Sequence, residues 1–538
     1  MFVEKQGKAS AKQEFSRGVS AITTSKLAVY IISCLIFLVM VIPFYGHIVD
    51  DAYITFRYAK NFVDGHGLVF NPGEKVEGYT NFSWVILSAL SLLVSVSPEL
   101  LTRIIGLLCC LGTIAVVVHF SPADKRFPQL LWMPSLFLAA NPPFAVWATG
   151  GMETPLFAFL VTLGVLLAAE GVQKERLPLS SALLLGLAAL TRPEGVLVAA
   201  IISGSGFIIN LKSSSFRRNW VRWNIVFAAI FLPYFMWRLS YYGFLFPNSF
   251  YAKVDPGGSQ LDRGFFYSHE FLKVTGYWLL GAFVGFWWAK RRKFIMMLFS
   301  FIIIFTLYIV YVGGDGLPMF RFFAPLVGLF FLLIATCLYG VFEKIQKWKP
   351  GKIVITALLA AAWLFSMSHA FRGPAFDYVL QDIYEVSSWK RIGLWFKEHA
   401  DAGDSIAVIP AGAIPYFSEL TTIDMLGIND LTIGHKATPE MGKVQAGHEK
   451  HDSEYVLSRK PTYVIIGIYG LESELLPPKQ VIKPFYPAEK ELLRSSEFKQ
   501  QYKLASAKAE GGYFYFFVSA DKVQTRLALF VFAQGSLF

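Results

Sequence analysis

Charge is scarce in this sequence: only 16% of its 538 residues are Asp, Glu, Lys or Arg. Soluble domains carry about 25% charged residues, so the deficit excludes an ordinary soluble globular protein. Apolar residues take the place of charge, since 54% of the residues are hydrophobic, 16% are aromatic and the mean hydropathy is +0.48. Long apolar runs with short polar breaks are typical of a chain that crosses a membrane many times.

Cysteine is also scarce. All four cysteines lie inside apolar runs, where a thiol behaves as a small hydrophobic side chain. They are Cys34, Cys109, Cys110 and Cys337. This placement excludes a disulfide framework and a cysteine-based metal site.

Several functional motifs are missing. The sequence contains no Walker-type phosphate loop, no Cys/His spacing typical of zinc and no Gly-x-Ser-x-Gly elbow. These absences argue against nucleotide-driven transport and a serine hydrolase. The stretch His448-Glu449-Lys450-His451 is interpreted as a charged loop rather than a metal site. The net charge of +11 does not indicate a nucleic-acid partner, because cytoplasmic loop Lys and Arg account for such an excess in a membrane protein.

The apolar segments predict an α-helical polytopic membrane protein with about 11–12 transmembrane helices. The candidate spans are 27–46, 81–97, 101–120, 128–147, 154–171, 178–191, 194–210, 223–239, 270–289, 294–311, 321–341 and 353–370. Basic loops at 174–176, 212–222, 290–293 and 343–352 are assigned to the cytoplasm by the positive-inside rule. This assignment places the remaining, motif-rich loops together on the outer face. It also requires that one candidate between 81 and 147 does not cross fully.

Composition divides the chain into three parts. Residues 1–26 form a basic, polar tail that we expect to be cytoplasmic, and the apolar run after it lacks a cleavage site and is interpreted as a retained anchor. Residues 27–370 form the transmembrane part. Residues 371–538 have a soluble composition, with a helical stretch over 381–399 and β-runs at 405–409, 463–468 and 513–518. This alternation predicts a small α/β domain, and the apolar end 527–538 is expected to be a strand or a membrane-surface helix.

Two adjacent carboxylates, Asp50 and Asp51, follow the first span. Paired carboxylates in a membrane protein are costly unless they serve a function, and a carboxylate can take the proton of an attacking hydroxyl. Neighbouring helical side chains diverge by about 100°, so we expect the two to have different roles. The alternative is that they cap an interfacial helix.

The rest of that loop is dense in polar groups. Arg57 and His66 lie within it, and Glu77, Tyr79 and Asn81 end it. Carboxylate, hydroxyl and amide groups suit the hydroxyls of a sugar, so all five are candidates for substrate binding. The intervening Asn-Pro-Gly at 71–73 is explained by turn formation.

Four more outer loops add candidate substrate contacts. Glu153 follows a Gly-Gly pair, and Arg192 and Glu194 flank a proline that breaks an apolar hairpin. A helix-terminal glutamate favoured by the dipole and an Arg–Glu pair in a turn are the structural alternatives. The remaining candidates are Asn248, Lys253, Asp315 and Arg321. A basic side chain at this face could neutralise a lipid-linked phosphate.

In combination, these loops resemble the membrane glycosyltransferases of the GT-C fold. The first loop, Asp50-Asp51-Ala52-Tyr53-Ile54 through Glu77-Gly78-Tyr79-Thr80-Asn81, is similar to that of the group containing the mycobacterial arabinofuranosyltransferase B. The later motifs at 150–155, 191–195, 247–253, 313–315 and 423–430 also resemble that group.

The resemblance implies an enzyme of the bacterial inner membrane whose active site and C-terminal domain face the periplasm. It implies transfer of a sugar, D-arabinofuranose being the best guess, from a polyprenyl-phosphate donor to a glycan, lipid or pilin-like protein. Asp50 or Asp51 is then the catalytic base. Phosphate is already a good leaving group, so we expect neither a metal nor a cofactor.

Three alternatives stay open from the sequence. A hexose or aminoarabinose transferase has the same chemistry with another sugar. A transporter or flippase of lipid-linked sugars predicts internal repeats and midplane charges, whereas here no repeat is visible and the charges gather at one face. A scaffold or sensor does not need carboxylates on several outer loops.

Overall fold

The computed structural model describes residues 25–255, 257–273, 284–372, 374–467, 470–525 and 531–532. Most of the tail 1–26, the middle of the candidate span 270–289 and most of the apolar end 527–538 lie outside the described residues.

The first part of the chain is helical. Its helices are Ser25–Phe44, Asp50–Val63, Phe82–Leu93, Pro98–Phe120, Gln129–Ala139, Pro142–Trp147, Thr154–Gln173, Leu179–Thr191, Glu194–Ile209, Ser214–Tyr242, Asn248–Lys253, Leu261–Phe271, Arg292–Tyr311, Ala324–Lys344 and Lys349–Arg372. Within the described ranges, six helices are long and apolar enough to cross a membrane, and four shorter apolar helices of 10–17 residues lie among them. The helical polytopic architecture predicted from the sequence is confirmed.

One candidate span is broken. The segment 128–147 forms two helices, Gln129–Ala139 and Pro142–Trp147, rather than one. Asn141 separates them, because its side chain accepts a hydrogen bond from the Phe144 amide and begins the second helix. A helix of 11 residues spans about 17 Å, well short of the hydrocarbon core.

The basic loops lie together at one end of the helices. Arg291 pairs with Glu170, Lys293 with Glu175 at 2.8 Å, and Lys290 with Glu343 at 2.8 Å. The helix Thr154–Gln173 carries Glu170 near its last turn, whereas Glu153 directly precedes its first turn. The basic loops and the Glu153 region are therefore at opposite ends of this helix.

The C-terminal part is an α/β domain built on one mixed sheet. Its strands are β1 Ser405–Val408, β2 Thr421–Asp424, β3 Tyr463–Ile465, β4 Tyr502–Ala509, β5 Gly512–Ser519 and β6 Val531–Phe532, in the order β2-β1-β3-β5-β4-β6. β1 is parallel to β2 and β3, and the other pairs are antiparallel. Helices pack around the sheet: Pro374–His399, Ala413–Ser418, Leu431–His435, Ser453–Ser458, Pro478–Val481, Pro487–Arg494, Ser496–Gln501 and Ala520–Thr525.

The two parts share a core. Tyr53 and Phe56, on the helix that follows the first span, pack with Ile406, Ile414 and Phe516 of the C-terminal domain in one apolar cluster. Asp50 and Asp51 start this helix, where negative charge is favoured by the helix dipole. The helix is therefore wedged between the membrane helices and the C-terminal domain.

Gly412 marks the closest approach of the two parts. A Cβ atom at this position would collide with the backbone carbonyl group of Asp50. We predict that Gly412→Ala forces the domains apart and lowers the free energy of unfolding by about 1–3 kcal/mol, the range for overpacking. Thermal unfolding in detergent measures the change.

The matched control is Gly204→Ala, because Gly204 is exposed on the helix Glu194–Ile209 and a Cβ atom added to it would project into open space. Alanine is the better helix former, so this variant should be as stable as the native protein or slightly more so. Equal unfolding temperatures for both variants would contradict the close contact at Gly412.

Candidate active site

A cavity of about 280 Å³ opens where the motif-rich loops meet the C-terminal domain. Eight of the residues predicted from the sequence line it: Asp51, Tyr79, Asn81, Arg192, Glu194, Lys253, Asp315 and Arg321. Ile428 and Ala446 of the C-terminal domain form part of the wall. The rest of the lining includes apolar side chains such as Leu197 and Phe250. The cavity therefore combines opposite charges with an apolar surface, as ligand-binding pockets do.

The two aspartates have different environments. The Asp50 carboxylate accepts hydrogen bonds from the amides of Gly412 at 2.9 Å and Ala413 at 2.7 Å, so it caps the helix Ala413–Ser418. Asp51 points into the cavity, and its carboxylate has no hydrogen-bond or ion-pair partner within the part of the chain that the structure describes. Of the pair, only Asp51 is available to a substrate.

The raised pKa of Asp50 does not make Asp50 the residue that is available to a substrate. Burial raises the pKa of Asp50 to about 7, the two backbone donors oppose the shift, and the charge of Asp51 adds to it. A pKa near 7 suits a general base, but a base must first be within hydrogen-bond reach of the proton that it removes. Both Asp50 oxygens face the C-terminal domain instead.

Arg192 is held between two carboxylates. Its Nη1 donates to Glu153 at 2.5 Å, and its Nη2 donates to Glu194 at 2.8 Å. Asn81 also donates to Glu153, at 2.7 Å. Because two negative charges surround one positive charge, Arg192 is poorly suited to attract a phosphate. Glu153 lies behind the cavity lining and orients Arg192 and Asn81.

Lys253 and Arg321 supply the cationic part of the cavity. Arg321 makes a two-pronged ion pair with Asp315, at 2.7 and 3.0 Å, and its buried Nη1 has no hydrogen-bond partner in the described ranges. Lys253 is half-buried, and no partner of its ammonium group occurs among the residues described. A buried donor and an ammonium group that both lack a partner in the described ranges suit an anionic ligand.

The loop that carries Asp315 owes its shape to glycine. Gly313 and Gly314 have φ values of 84° and 72°, and a Cβ on Gly314 would lie 2.6 Å from the Tyr267 ring. Only glycine meets both demands. Asp315 follows directly and reaches Arg321.

Two predicted contacts instead fasten the domains together. Arg57 donates to the carbonyl oxygens of Pro415 and Leu420, and Asn248 donates to those of Gly427 and Ile428. Neither side chain lines the cavity. Buried backbone carbonyls need such donors.

Two further predicted contacts also lie outside the cavity lining. Glu77 forms a buried ion pair with Arg238, with contacts of 2.9 and 3.0 Å to the Arg238 Nε. His66 is exposed in the loop that follows the helix Asp50–Val63. Burial raises the pKa of Glu77, while the Arg238 charge opposes that shift.

Sequence reasoning missed several residues near the site. Arg238 is the clearest case, because an arginine within the long apolar helix Ser214–Tyr242 is by itself a sign of a buried partner. Ala446 had no such signal, since it reaches the cavity only through the packing of the C-terminal domain. Ile428 lies within the 423–430 motif, but its apolar side chain carries no chemical signal of its own. Among the described residues, no group of three or more His, Cys, Asp or Glu side chains could hold a metal ion.

The Glu77–Arg238 pair gives a prediction about stability. Glu77→Gln leaves the Arg238 charge buried without its partner, so we expect a loss of about 3–5 kcal/mol in the free energy of unfolding. Glu74→Gln is the control, because Glu74 pairs with Arg459 at 2.7 Å with both side chains about one-third exposed. Exposed pairs contribute about 0–1 kcal/mol.

Thermal unfolding of the two variants decides between roles for Glu77. A lower unfolding temperature for Glu77→Gln alone indicates the structural ion pair. An unchanged unfolding temperature combined with lost activity would restore Glu77 as a substrate contact.

Comparisons with known proteins agree with this architecture. Residues 379–524 match the model of a domain of unknown function, DUF8728. The chain is 30% identical over 249 residues to the terminal β-(1→2)-arabinofuranosyltransferase of Mycobacterium tuberculosis, covering 43% of this chain and 39% of that protein. It is 25% identical over 364 residues to the enzyme of the same name from Corynebacterium glutamicum, covering 59% of this chain and 51% of that protein. The matches thus span at most about half the length of either relative.

Two solved structures are similar in fold. ArnT from Cupriavidus metallidurans bound to undecaprenyl phosphate superposes with a TM-score of 0.52 at 12% identity, over 78% of this chain and 88% of that one. The archaeal oligosaccharyltransferase AglB from Archaeoglobus fulgidus, in complex with an inhibitory peptide and a dolichol-phosphate, superposes with a TM-score of 0.53 at 13% identity, over 91% and 74%. The chain is therefore a helical membrane protein with the GT-C fold.

Proposed function

We propose that this protein is a glycosyltransferase that moves a sugar from a polyprenyl-phosphate donor to an acceptor hydroxyl. The observation that carries the proposal is found in one cavity, where the Asp51 carboxylate, the Lys253 ammonium group and the Arg321 Nη1 all lack a partner among the residues that the structure describes. A base and an anion-binding group are the two components that such a transfer requires.

The chemistry divides between the two groups. Asp51 takes the proton of the acceptor hydroxyl as its oxygen attacks the anomeric carbon. The bond from that carbon to the donor phosphate breaks, and the polyprenyl phosphate leaves with the electron pair. Lys253 and Arg321 stabilise the negative charge that develops on the leaving phosphate. We expect no cofactor in this scheme.

The apolar side of the cavity supports a lipid donor. Leu197 and Tyr308, on the helices Glu194–Ile209 and Arg292–Tyr311, line the cavity together with the charged groups. A polyprenyl chain at this side has its phosphate near Lys253 and Arg321. The polyprenyl phosphates named with ArnT and AglB agree with this class of ligand.

D-Arabinofuranose is the sugar that we propose, and it rests on the names of the two sequence relatives. A hexose or aminoarabinose donor is the alternative. We place the cavity on the periplasmic side of the inner membrane, because the basic loops joined by Lys293–Glu175 and Lys290–Glu343 lie at the other end of the helices.

The test uses purified protein in lipid nanodiscs with synthetic polyprenyl-phosphoryl sugars and an oligosaccharide acceptor. Mass spectrometry follows both products. We expect polyprenyl phosphate and glycosylated acceptor to form in equal amounts, and to form fastest from the arabinofuranosyl donor. Movement of intact donor across a vesicle membrane, with no bond cleaved for any sugar, would replace this proposal with a transporter.

A further inference from the structure

A buried histidine lies four residues before the proposed base. His47 belongs to the connection 45–49, which joins the first membrane helix to the helix that begins at Asp50, and its side chain is completely buried. Its ring Nε2 donates to the carboxylate of Asp382, in the C-terminal domain, at 2.9 Å. Burying such polar groups is costly unless they are paired. The chemistry proposed above uses neither residue, so the pair has a different role.

The helix that carries Asp382, Pro374–His399, runs alongside this connection. The rings of Phe44 and Phe376 meet edge to face, with their centroids 5.8 Å apart. A Cβ atom added to Gly46 would lie 4.0 Å from the Ile383 side chain. The connection is therefore packed directly against the C-terminal domain just before the catalytic helix begins.

The His47 ring is held by Asp382. The ring Nδ1 is buried and has no hydrogen-bond partner within the described ranges. In that part of the chain, Asp382 is therefore the only hydrogen-bond partner of the ring. Two residues further on, the Val49 amide donates to the carbonyl of Gly150, in the membrane domain, at 3.1 Å. The connection is thus held by the C-terminal domain at one residue and by the membrane domain at the next but one.

The position of Asp51 depends on the backbone that carries it. Its carboxylate has no hydrogen-bond or ion-pair partner among the residues that the structure describes, so no such contact there fixes the side chain. A displacement of about 1 Å can cost about 10²-fold in rate. Groups that hold the neighbouring backbone therefore contribute to the precision of the site.

We propose that the His47–Asp382 hydrogen bond positions Asp51, and that sugar transfer thereby depends on the docking of the C-terminal domain. The inference rests on the proposed function, because it concerns the placement of the base of that reaction. His47 and Asp382 are positioning residues, since neither lines the cavity. A displacement of the helix Pro374–His399 is then transmitted to the base, while the donor-phosphate groups Lys253 and Arg321 stay in place.

Two amide side chains at position 47 separate the hydrogen bond from the bulk of the ring. In His47→Gln the amide nitrogen takes about the place of Nε2 and can still donate to Asp382, whereas in His47→Asn it takes the place of Nδ1 and falls short. Asp382→Ala removes the acceptor and is the second disrupting variant. Its matched control is Asp377→Ala, because Asp377 is an exposed aspartate on the same helix.

We expect His47→Asn and Asp382→Ala each to lower kcat for transfer by about 10²-fold. The KM for the donor should not change, because a misplaced base affects the transition state rather than binding. His47→Gln should recover at least about tenfold of the loss, and Asp377→Ala should match the native protein. Rates are measured in nanodiscs at a temperature where every variant is folded. Native kcat in either disrupting variant, or equal losses in His47→Gln and His47→Asn, would overturn the inference.

Hydrogen exchange of backbone amides gives a readout that does not depend on transfer. The Val49 amide donates to the Gly150 carbonyl and the Ala52 amide to the Val49 carbonyl, both at 3.1 Å, so exchange over 45–52 reports how firmly this segment is held. We expect exchange there to be at least about tenfold faster in His47→Asn than in the native protein or in His47→Gln. Exchange in the paired strands β4 and β5 should stay the same in all variants.

The two measurements separate this inference from the proposed function. Transfer at the native rate by His47→Asn rejects the positioning role and keeps the transferase. If the native protein cleaves no donor while exchange over 45–52 depends on His47, the transferase is rejected and the link between domain docking and this segment stands. Unchanged exchange over 45–52 in His47→Asn rejects the link itself.

Discussion

Asp51→Asn should lower kcat/KM for sugar transfer by about 10²–10⁴, which is the contribution of a general base. Asparagine has the same shape but cannot accept the acceptor proton. The Asp51 carboxylate has no partner elsewhere in the described ranges, so its loss leaves no buried group unsatisfied and the protein should fold normally. The steady-state rate of polyprenyl phosphate release, with a thermal unfolding curve for each variant, measures this effect.

The adjacent residue is the control. Asp50→Asn weakens the cap on the helix Ala413–Ser418 and should cost about 0.5–2 kcal/mol of stability. At a temperature where it stays folded, its transfer rate should remain within about tenfold of the native rate, because Asp50 does not face the cavity. The assignment of the base to Asp51 is wrong if Asp50→Asn is the inactive variant and Asp51→Asn retains transfer.

Lys253→Met should reduce kcat by about 10²–10³, comparable to the loss of one donor that stabilises transition-state charge. Methionine keeps the length of the apolar stem and removes the ammonium group. No ion-pair partner of Lys253 occurs in the described part of the chain, so the substitution leaves no carboxylate buried without its cation. Lys253→Arg should recover part of the rate, because it keeps the charge with a different geometry.

The comparison for this prediction is Lys60→Met. Lys60 pairs with Glu419 on the far side of its helix and does not line the cavity. We expect transfer by this variant to match the native rate. If Lys253→Met and Lys60→Met transfer sugar equally well, the leaving phosphate is stabilised by another group, and Arg321 becomes the residue to test.

The sequence supports the fold prediction well where a local pattern is strong. The strands β1, β3 and β5 lie at the predicted runs because they are rich in β-branched or aromatic residues. β4, Tyr502–Ala509, was not predicted, because most of its residues are alanine or lysine and its place in the sheet depends on eight paired positions with β5. The break at Asn141 could have been predicted, since two prolines follow it.

The candidate site is harder to predict, because a polar residue in a loop can either bind a substrate or pair with another buried group of the protein. Asp50 and Asp51 look equivalent in the sequence, and only the distant Gly412 amide separates their roles. Glu77 and Asn248 occur in motif-rich loops, but the Glu77 carboxylate pairs with Arg238 and the Asn248 amide donates hydrogen bonds to backbone carbonyls. Long-range partners of this kind leave no local pattern.

The most direct test is a density map of the protein in nanodiscs with a polyprenyl phosphate bound. We expect the phosphate within hydrogen-bond distance of the Lys253 Nζ and the Arg321 Nη1, with the first isoprene units along Leu197 and Tyr308. A phosphate bound outside this cavity, with Lys253 and Arg321 still unoccupied at a saturating ligand concentration, would contradict the proposed site.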